Sequence, residues 1–569
     1  MMNWHGFLGA AAMTALAVSS ASAQRGADGE VKILYWQAPS ILNPYLSSGV
    51  KDTEASSLVL EPLASYDENG DMVPRLAVEI PTLDNGGVAK DLKSVTWKLK
   101  SGIVWSDGTP LTAEDAVFTA QYCMAPGGGC SKLANFADVE KVEAVDSLTV
   151  KASFTKPKPF PYGFFVSSES SILQKQQFKD CLGAKAAACT AQNFAPIGTG
   201  AFKVAEFRAN DSVRYVVNDK YRDAAKPAFA SVYLKGGGDP ASAARAVLET
   251  GEFDYAWNTQ VEPEILARME KAGKGKIIVA FGNYLERMHF NFTNSRPNAG
   301  DKRSVYDDGK NPHPMLKDPA MRRALTMAID RQLLVDTGYG ASGKVTCNIV
   351  PAPERFVSTT HDWCKTPDVE KANKILDEAG WKKGADGIRV KDGVRASLLY
   401  QTSTNSVRQA TQALVKQMWG DIGVETELRN LSGSVFFGAD PSSPDTSQKF
   451  FADVEMFAWT YAGTDPETNL VGSTCKDIPM PTNNWLGTNF SRYCNPAYDK
   501  LAEELGQTGE PAQRAALVKK MNDMLIEDGV MVPLVYRGRI SAMSNALAGH
   551  RMNAWDYELW NIADWARKK

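Results

Sequence analysis

Residue types that make or break bonds are scarce in this chain, and their spacing argues against most of the chemistry open to them. The segment Gly338–Val345, GYGASGKV, comes nearest to a nucleotide site, with Gly338, Gly343 and Lys344 spaced as in a phosphate-binding loop. Such a loop follows a strand, opens a helix, and carries a Ser or Thr hydroxyl after the lysine to reach the metal. Here Val345 follows Lys344, a helical pattern precedes the segment, and Pro351 interrupts what comes after. Nucleotide binding is not expected. There is no HExxH, no GxSxG elbow and no GxGxxG opening a helix. His289 lies in the alternating stretch RMHFNF, where a satisfied strand residue is the simpler reading than a catalytic base. Acid pairs such as Glu114-Asp115 and Glu503-Glu504 read as solvated helix residues, because glycosidase chemistry needs two acids at a set separation in space. No catalytic residue and no cofactor is expected, and a hydrolase stands only as a remote alternative.

The cysteines and tryptophans say more. All eight cysteines fall into near-neighbour pairs: Cys123 with Cys130, Cys181 with Cys189, Cys347 with Cys364, Cys475 with Cys494. In an exported chain these read as local disulfides, whereas none of the pairs has the short ligand spacing of a zinc ribbon or finger, so no metal is expected. Of the 13 tryptophans, Trp36, Trp257 and Trp459 sit beside glycine or short polar residues, which suits a cleft that stacks on a ligand. Trp97 and Trp105 are assigned to the core.

The elements that must position these residues alternate along the chain. In SVTWKLK, Val95, Trp97 and Leu99 share a face, as do Val213, Tyr215 and Val217 in SVRYVVN, so both read as half-buried strands. A helix is predicted over Lys371–Trp381, with Thr366-Pro367 at its start and Gly380 as its stop, and another over Asp318–Leu334, where Met321, Leu325 and Ile329 recur at helical spacing. The pattern is that of a mixed α/β protein. At the front, an apolar run from Gly6 to Val18 precedes Ala21-Ser22-Ala23, so residues 1–23 are expected to be a cleaved signal peptide. The rest is long enough for two or three cores, since single cores stop growing at about 250 to 300 residues. With 63 Lys+Arg against 66 Asp+Glu, there is no basic stripe for nucleic acid.

Ordered blocks then carry a resemblance. EPLASYDENGDMVPRLA (Glu61–Ala77), WSDGTPLTAEDAVFT (Trp105–Thr119), NFAPIGTGAFKVAEF (Asn193–Phe207), the MRRALTMAIDR helix, LDEAGW and NFSRYCNPAYDKL (Asn489–Leu501) follow one another from about Val31 to the C-terminus. In that order they resemble the bacterial extracellular solute-binding proteins of family 5, the dipeptide and oligopeptide receptors of ABC importers. The resemblance implies a two-lobed periplasmic-binding-protein fold of the large peptide-receptor type. Lobe I would be 24–281 with a subdomain inserted at about 61–195, lobe II 282–524, and 525–569 would complete lobe I. The hinge crossings would lie near Phe281–Leu285 and Leu525–Val532. It also implies a monomeric periplasmic protein, not membrane-spanning, whose partners are a small-molecule or peptide ligand and the importer's permease subunits.

Candidate ligand contacts follow residue by residue from the same resemblance. FADVEMFAWTYAGTDPETN (Phe451–Asn469) resembles the family's W-x-x-D-x-x-D-P segment, whose first aspartate holds a peptide's α-ammonium; Trp459, Asp465 and Pro466 match, but that aspartate is Ala462 here. Glu286 is the expected replacement. Arg408, one residue out of register with the family's arginine, is the expected partner of the ligand carboxylate. Ser48 and Gly49 match a region lining the cleft, Trp459 and Tyr461 would stack on the ligand, and Trp257 joins them. With Ala462 in the ammonium position, a non-peptide cargo such as an opine, an oligosaccharide or a metal chelate is the alternative.

Overall fold

The computed structural model describes residues 25–438, 440, 442–461 and 463–569; the expected leader and Ala462 lie outside the described residues. Strand-forming alternation is strongest in Glu30–Tyr35, Ser212–Val217 and Ser231–Gly236, and these strands join one seven-stranded sheet. Its order is Gly275–Ala280, Arg539–Ser544, Tyr255–Trp257, Glu30–Tyr35, Ser231–Gly236, Ser212–Val217, Phe202–Arg208. Glu30–Tyr35 runs parallel to both of its neighbours, so Trp257 stands at the same end of the sheet as Tyr35. Ile33, Tyr215, Trp257 and Trp565 lie in the core packed on this sheet, so the C-terminal residues belong with the first strands.

A second, six-stranded sheet has the order Gly343–Val345, Met531–Arg537, Leu285–Phe290, Val454–Trp459, Ser397–Ser403, Glu425–Leu431. Met288, Phe290, Leu325, Leu376 and Trp419 form the core between it and its helices. A third body has strands Ser94–Lys98, Thr149–Phe154 and Val139–Asp146, the helix Ala113–Met124, and a core that includes Trp97, Trp105, Phe118 and Phe164. That helix starts where the backbone N–H of Thr112 donates to the Asp115 carboxylate at 2.9 Å, a capping-box contact.

Two strand pairs cross between the sheets side by side. Gly275–Ala280 pairs with Arg539–Ser544 in the first sheet, and Leu285–Phe290 pairs with Met531–Arg537 in the second. The chain therefore changes sheets at residues 281–284 and again at Gly538. The second crossing is expected near Leu525–Val532, but Met531–Arg537 is held in the second sheet by its pairing with Leu285–Phe290. Each crossing carries a glycine against its surroundings: a Cβ on Gly282 would come within 2.1 Å of the Ala554 carbonyl oxygen, and one on Gly538 within 2.6 Å of Val279 Cγ1.

The helix expected over Asp318–Leu334 is two helices, Pro319–Met327 and Arg331–Gly338. Asp330 breaks it, because its carboxylate accepts the Leu333 N–H at 3.0 Å and starts the second helix. The helix expected from Lys371 begins at Val369, capped by Asp368, and Gly380 follows it in the left-handed region at φ 85°. All four expected cysteine pairs are bonded, Cys123–Cys130, Cys181–Cys189, Cys347–Cys364 and Cys475–Cys494. Among the described residues no helix is long and apolar enough to cross a membrane, and no three His, Cys, Asp or Glu side chains converge as metal ligands.

Candidate functional site

A cleft lies between the two sheets, lined from both sides of the crossings. From the first lobe come Ser48, Gly49, Trp257 and Tyr557, and from the second Arg408, Phe437, Phe457, Trp459 and Phe490. Trp257 ends its strand and is held flat by Tyr35, with ring centroids 4.8 Å apart and planes 12° from parallel. Opposite it, Trp459 ends the strand Val454–Trp459 and packs edge-on against Phe490 at 5.8 Å. Phe457 stacks on His289 at 5.0 Å. Burial, and then the charges of Arg287 and Arg492, hold the His289 pKa far below the ordinary histidine range, so this ring serves as a neutral packing surface.

The loop before the helix Val50–Ser56 forms one lip of the cavity. Asp52 organises it, accepting from the Ser40 N–H at 2.7 Å, the Ser47 hydroxyl at 2.6 Å and Lys51 Nζ at 2.9 Å. The loop then touches the second lobe. Ser48 Oγ accepts from Gln448 Nε2 at 2.5 Å, and a Cβ on Gly49 would lie 3.3 Å from the Phe437 carbonyl oxygen. The lobes meet at this lip, which closes the cleft over the aromatic rings.

Beyond Trp459 the cleft continues into a second compartment, lined by Lys132, Glu169, Arg287 and Tyr461 among others. A third carries Tyr66, Phe160, Glu169 and Asp465. Glu169 borders all three compartments. Its carboxylate pairs with Lys132 at 3.0 Å and accepts from the Tyr557 hydroxyl at 3.3 Å.

The sequence-derived residues therefore separate into groups. Ser48, Gly49, Trp257, Arg408 and Trp459 surround the first compartment. Tyr461 lines the second, with its hydroxyl donating to the Ala352 carbonyl at 3.3 Å. Asp465 lines the third, but Arg514 takes both of its oxygens at 2.6 Å. Trp36 is buried behind the site and donates to the Asn258 carbonyl at 2.9 Å.

Glu286 needs correction as a free carboxylate facing a ligand. It is fully buried, accepting from Arg408 Nε at 2.8 Å and Arg537 Nη1 at 3.0 Å. Burial pushes its pKa up, but the two guanidiniums outweigh burial and hold it below the ordinary 4.5. Arg408 reaches the cavity wall while its charge is already met by Glu286, so the pair expected to bracket a ligand neutralises itself.

Several lining residues carried no signal in the sequence. Lys132 and Glu169 are isolated charges in loop segments, brought together across 37 positions. Phe437 and Phe490 sit in aromatic-rich stretches that read equally well as core. Arg287 had one visible mark, a charge in the otherwise core-like strand LERMHF, where His289 drew attention instead.

Comparison with known proteins agrees with this architecture. The family model for bacterial extracellular solute-binding proteins, family 5 (Middle), matches residues 71–477. The oligopeptide-binding protein AppA of Bacillus subtilis is 25% identical over 539 residues, covering 93% of this chain and 89% of AppA. The AppA structure in complex with a nonapeptide superposes with a TM-score of 0.79 at 23% identity, covering 96% of this chain and 100% of that one. NikZ of Campylobacter jejuni, solved with Ni(L-His), gives 0.77 at 22% identity, covering 95% and 99%. At these identities the two structures speak to the fold alone.

Proposed function

This chain belongs to the bacterial extracellular solute-binding proteins of family 5, and on that premise we propose that it is a periplasmic receptor that captures a peptide by lobe closure and delivers it to the permease of an ABC importer. The observation that carries the reading is the cleft itself. Aromatic rings from both sheets line one cleft, and two further compartments continue from it. No bond chemistry is required: the ligand bridges the two faces and favours the closed form by its extra contacts there. Residues 1–23 export the chain, and the mature protein begins near Gln24.

Within the cleft, Trp257 and Trp459 flank a ligand side chain, while the Ser48–Gly49 lip offers backbone groups at close approach. Glu169 supports the peptide reading as an acid that an α-ammonium would share with Lys132, since it borders all three compartments and no acid stands at Ala462. Native mass spectrometry of gently purified protein tests the reading: peptide masses should be carried by the folded chain and lost on denaturation. Recovery of only an opine, a sugar or a metal chelate would replace it with the non-peptide alternative.

A further inference from the structure

Strand alternation sends Glu286 and Arg287 to opposite faces of the sheet Leu285–Phe290 belongs to. The pairing with Met531–Arg537 shifts register between these two residues, a bulge of the kind that re-aims a side chain. Glu286 turns back into its arginine pair. Arg287 turns towards the cleft, lining the second compartment with its guanidinium carbon 5.5 Å from the Trp459 ring centroid.

Arg287 is 97% buried, since only 3% of it is exposed, and its Nε has no acceptor among the described residues. Burial alone pulls its pKa down, to about 9, with no nearby acid opposing it. Other buried arginines are treated differently. Arg408 and Arg537 share Glu286, Arg331 donates to the Pro533 and Cys364 carbonyls at 2.8 Å, and Arg492 donates to those of Ser304, Phe490 and Gln448. In the compartment of Arg287, among the described residues that line it, the single acid is Glu169, already paired with Lys132. That compartment is left with one uncompensated positive charge, and an unpaired buried cation is costly unless an anion arrives to meet it.

We infer that Arg287 is the anion anchor of this receptor, holding a carboxylate of the bound solute in the compartment behind Trp459 while the apolar part of the solute lies among the aromatic rings of the first. The inference rests on the reading of this cleft as the solute site, and it narrows the cargo to molecules carrying a carboxylate next to an apolar group. A guanidinium fork matches the two oxygens of a carboxylate in one plane, which a lysine does not reproduce.

The test uses two probe pairs on the full mature protein: N-benzoylglycine against its primary amide, and Phe-containing tripeptides as free acids against their C-terminal amides. Calorimetric affinities are compared for the natural chain, Arg287→Met and Arg287→Lys. The natural chain should prefer the acid of at least one pair by about 10- to 150-fold, the scale of a charge-assisted hydrogen bond. Arg287→Met should lose that preference, and Arg287→Lys should recover part of it. Because the arginine has no hydrogen-bonded or charged partner to lose among the described residues, and Met can still pack on the Trp459 ring, ligand-free Arg287→Met should melt no lower than the natural chain, an outcome a purely structural role would reverse. Equal affinity for acid and amide in both pairs, or full retention of the preference in Arg287→Met, overturns the assignment. Acid-selective binding of benzoylglycine with no tripeptide bound would keep Arg287 as the anchor and remove the peptide reading instead.

Discussion

Glu286→Gln tests the account of the buried charges most directly. The carboxylate is fully buried and accepts from two guanidiniums at 2.8 and 3.0 Å. Arg408 keeps Ser403 Oγ at 2.8 Å, and Arg537 keeps Asn258 Oδ1 at 2.7 Å and Gln260 Oε1 at 2.9 Å. The substitution therefore leaves their geometry largely supported but removes the carboxylate that both guanidiniums bond directly. Breaking a buried pair by removing one partner costs about 3 to 5 kcal/mol. For a fold of this length each kcal/mol moves the melting temperature by about 1 °C, so it should fall by about 3 to 4 °C. The pH dependence follows from the sign of the shift. A carboxyl held below its ordinary 4.5 in the folded state stabilises the fold above that value, and the stabilisation is lost as pH falls through the folded value. The gap between natural and Glu286→Gln chains should be full at pH 7 and shrink as the pH falls below 4.5, measured by urea unfolding at fixed ionic strength. A gap under about 1 kcal/mol at pH 7, or one unchanged down to pH 3, would refute the reasoning that Glu286 is ionised and neutralises both arginines.

Three further outcomes are expected. Trp459→Ala should weaken binding of the ligand recovered by native mass spectrometry by about 30-fold, the scale of a buried tryptophan contact, read by calorimetry; unchanged affinity would remove Trp459 from the site. Gly49→Val should oppose closure by about 1 to 3 kcal/mol, because the added methyls meet the Phe437 carbonyl across the lip. Small-angle scattering with and without ligand would show it, and normal ligand-induced compaction would count against the lip contact. Replacing Cys475 and Cys494 by Ala should cost about 3 kcal/mol by releasing a loop of 19-residue separation, and should also weaken binding, since that loop carries Phe490. A stability loss with full affinity would show that the loop keeps its place without the bridge.

What the sequence makes legible is what local chemistry decides. Alternation in SVTWKLK and SVRYVVN, the glycine after LDEA and the near-neighbour cysteines each depend on residues a few positions apart, and each corresponds to a local feature of the fold. The break at Asp330 depended on one side chain preferring its own backbone to a continued helix. The second crossing was less legible, because Val530–Tyr536 is an apolar run whichever sheet it joins. Its partner, Leu285–Phe290, lies more than 240 positions away. The site shows the same division. Trp257 and Trp459, next to short polar residues, pointed to the cleft from neighbouring positions alone, whereas the charge assignments depend on which cations stand behind Glu286. Arg408 is 122 positions from it and Arg537 is 251.

Those two distant arginines also explain why adjacent residues of one strand have opposite fates. Arg537 belongs to the second sheet, yet it donates to Asn258 and Gln260, which follow the last residue of a first-lobe strand. The Glu286 cluster thus ties the lobes together next to Gly538, where the chain changes sheets, and its charges are spent on that bond. One residue later on the same strand, Arg287 stands on the cleft side of the crossing with no acid paired to it among the described residues. A ligand anion that meets this charge contacts the strand that the hinge cluster fixes. Ligand neutralisation and lobe position are then linked through a single rigid element, with no longer path required. If that linkage holds, Glu286→Gln should weaken acid-probe binding as well as stability, because it loosens the frame on which Arg287 is held. An acid preference left at its natural value in that variant would separate the two charges and confine the effect of Glu286 to the fold.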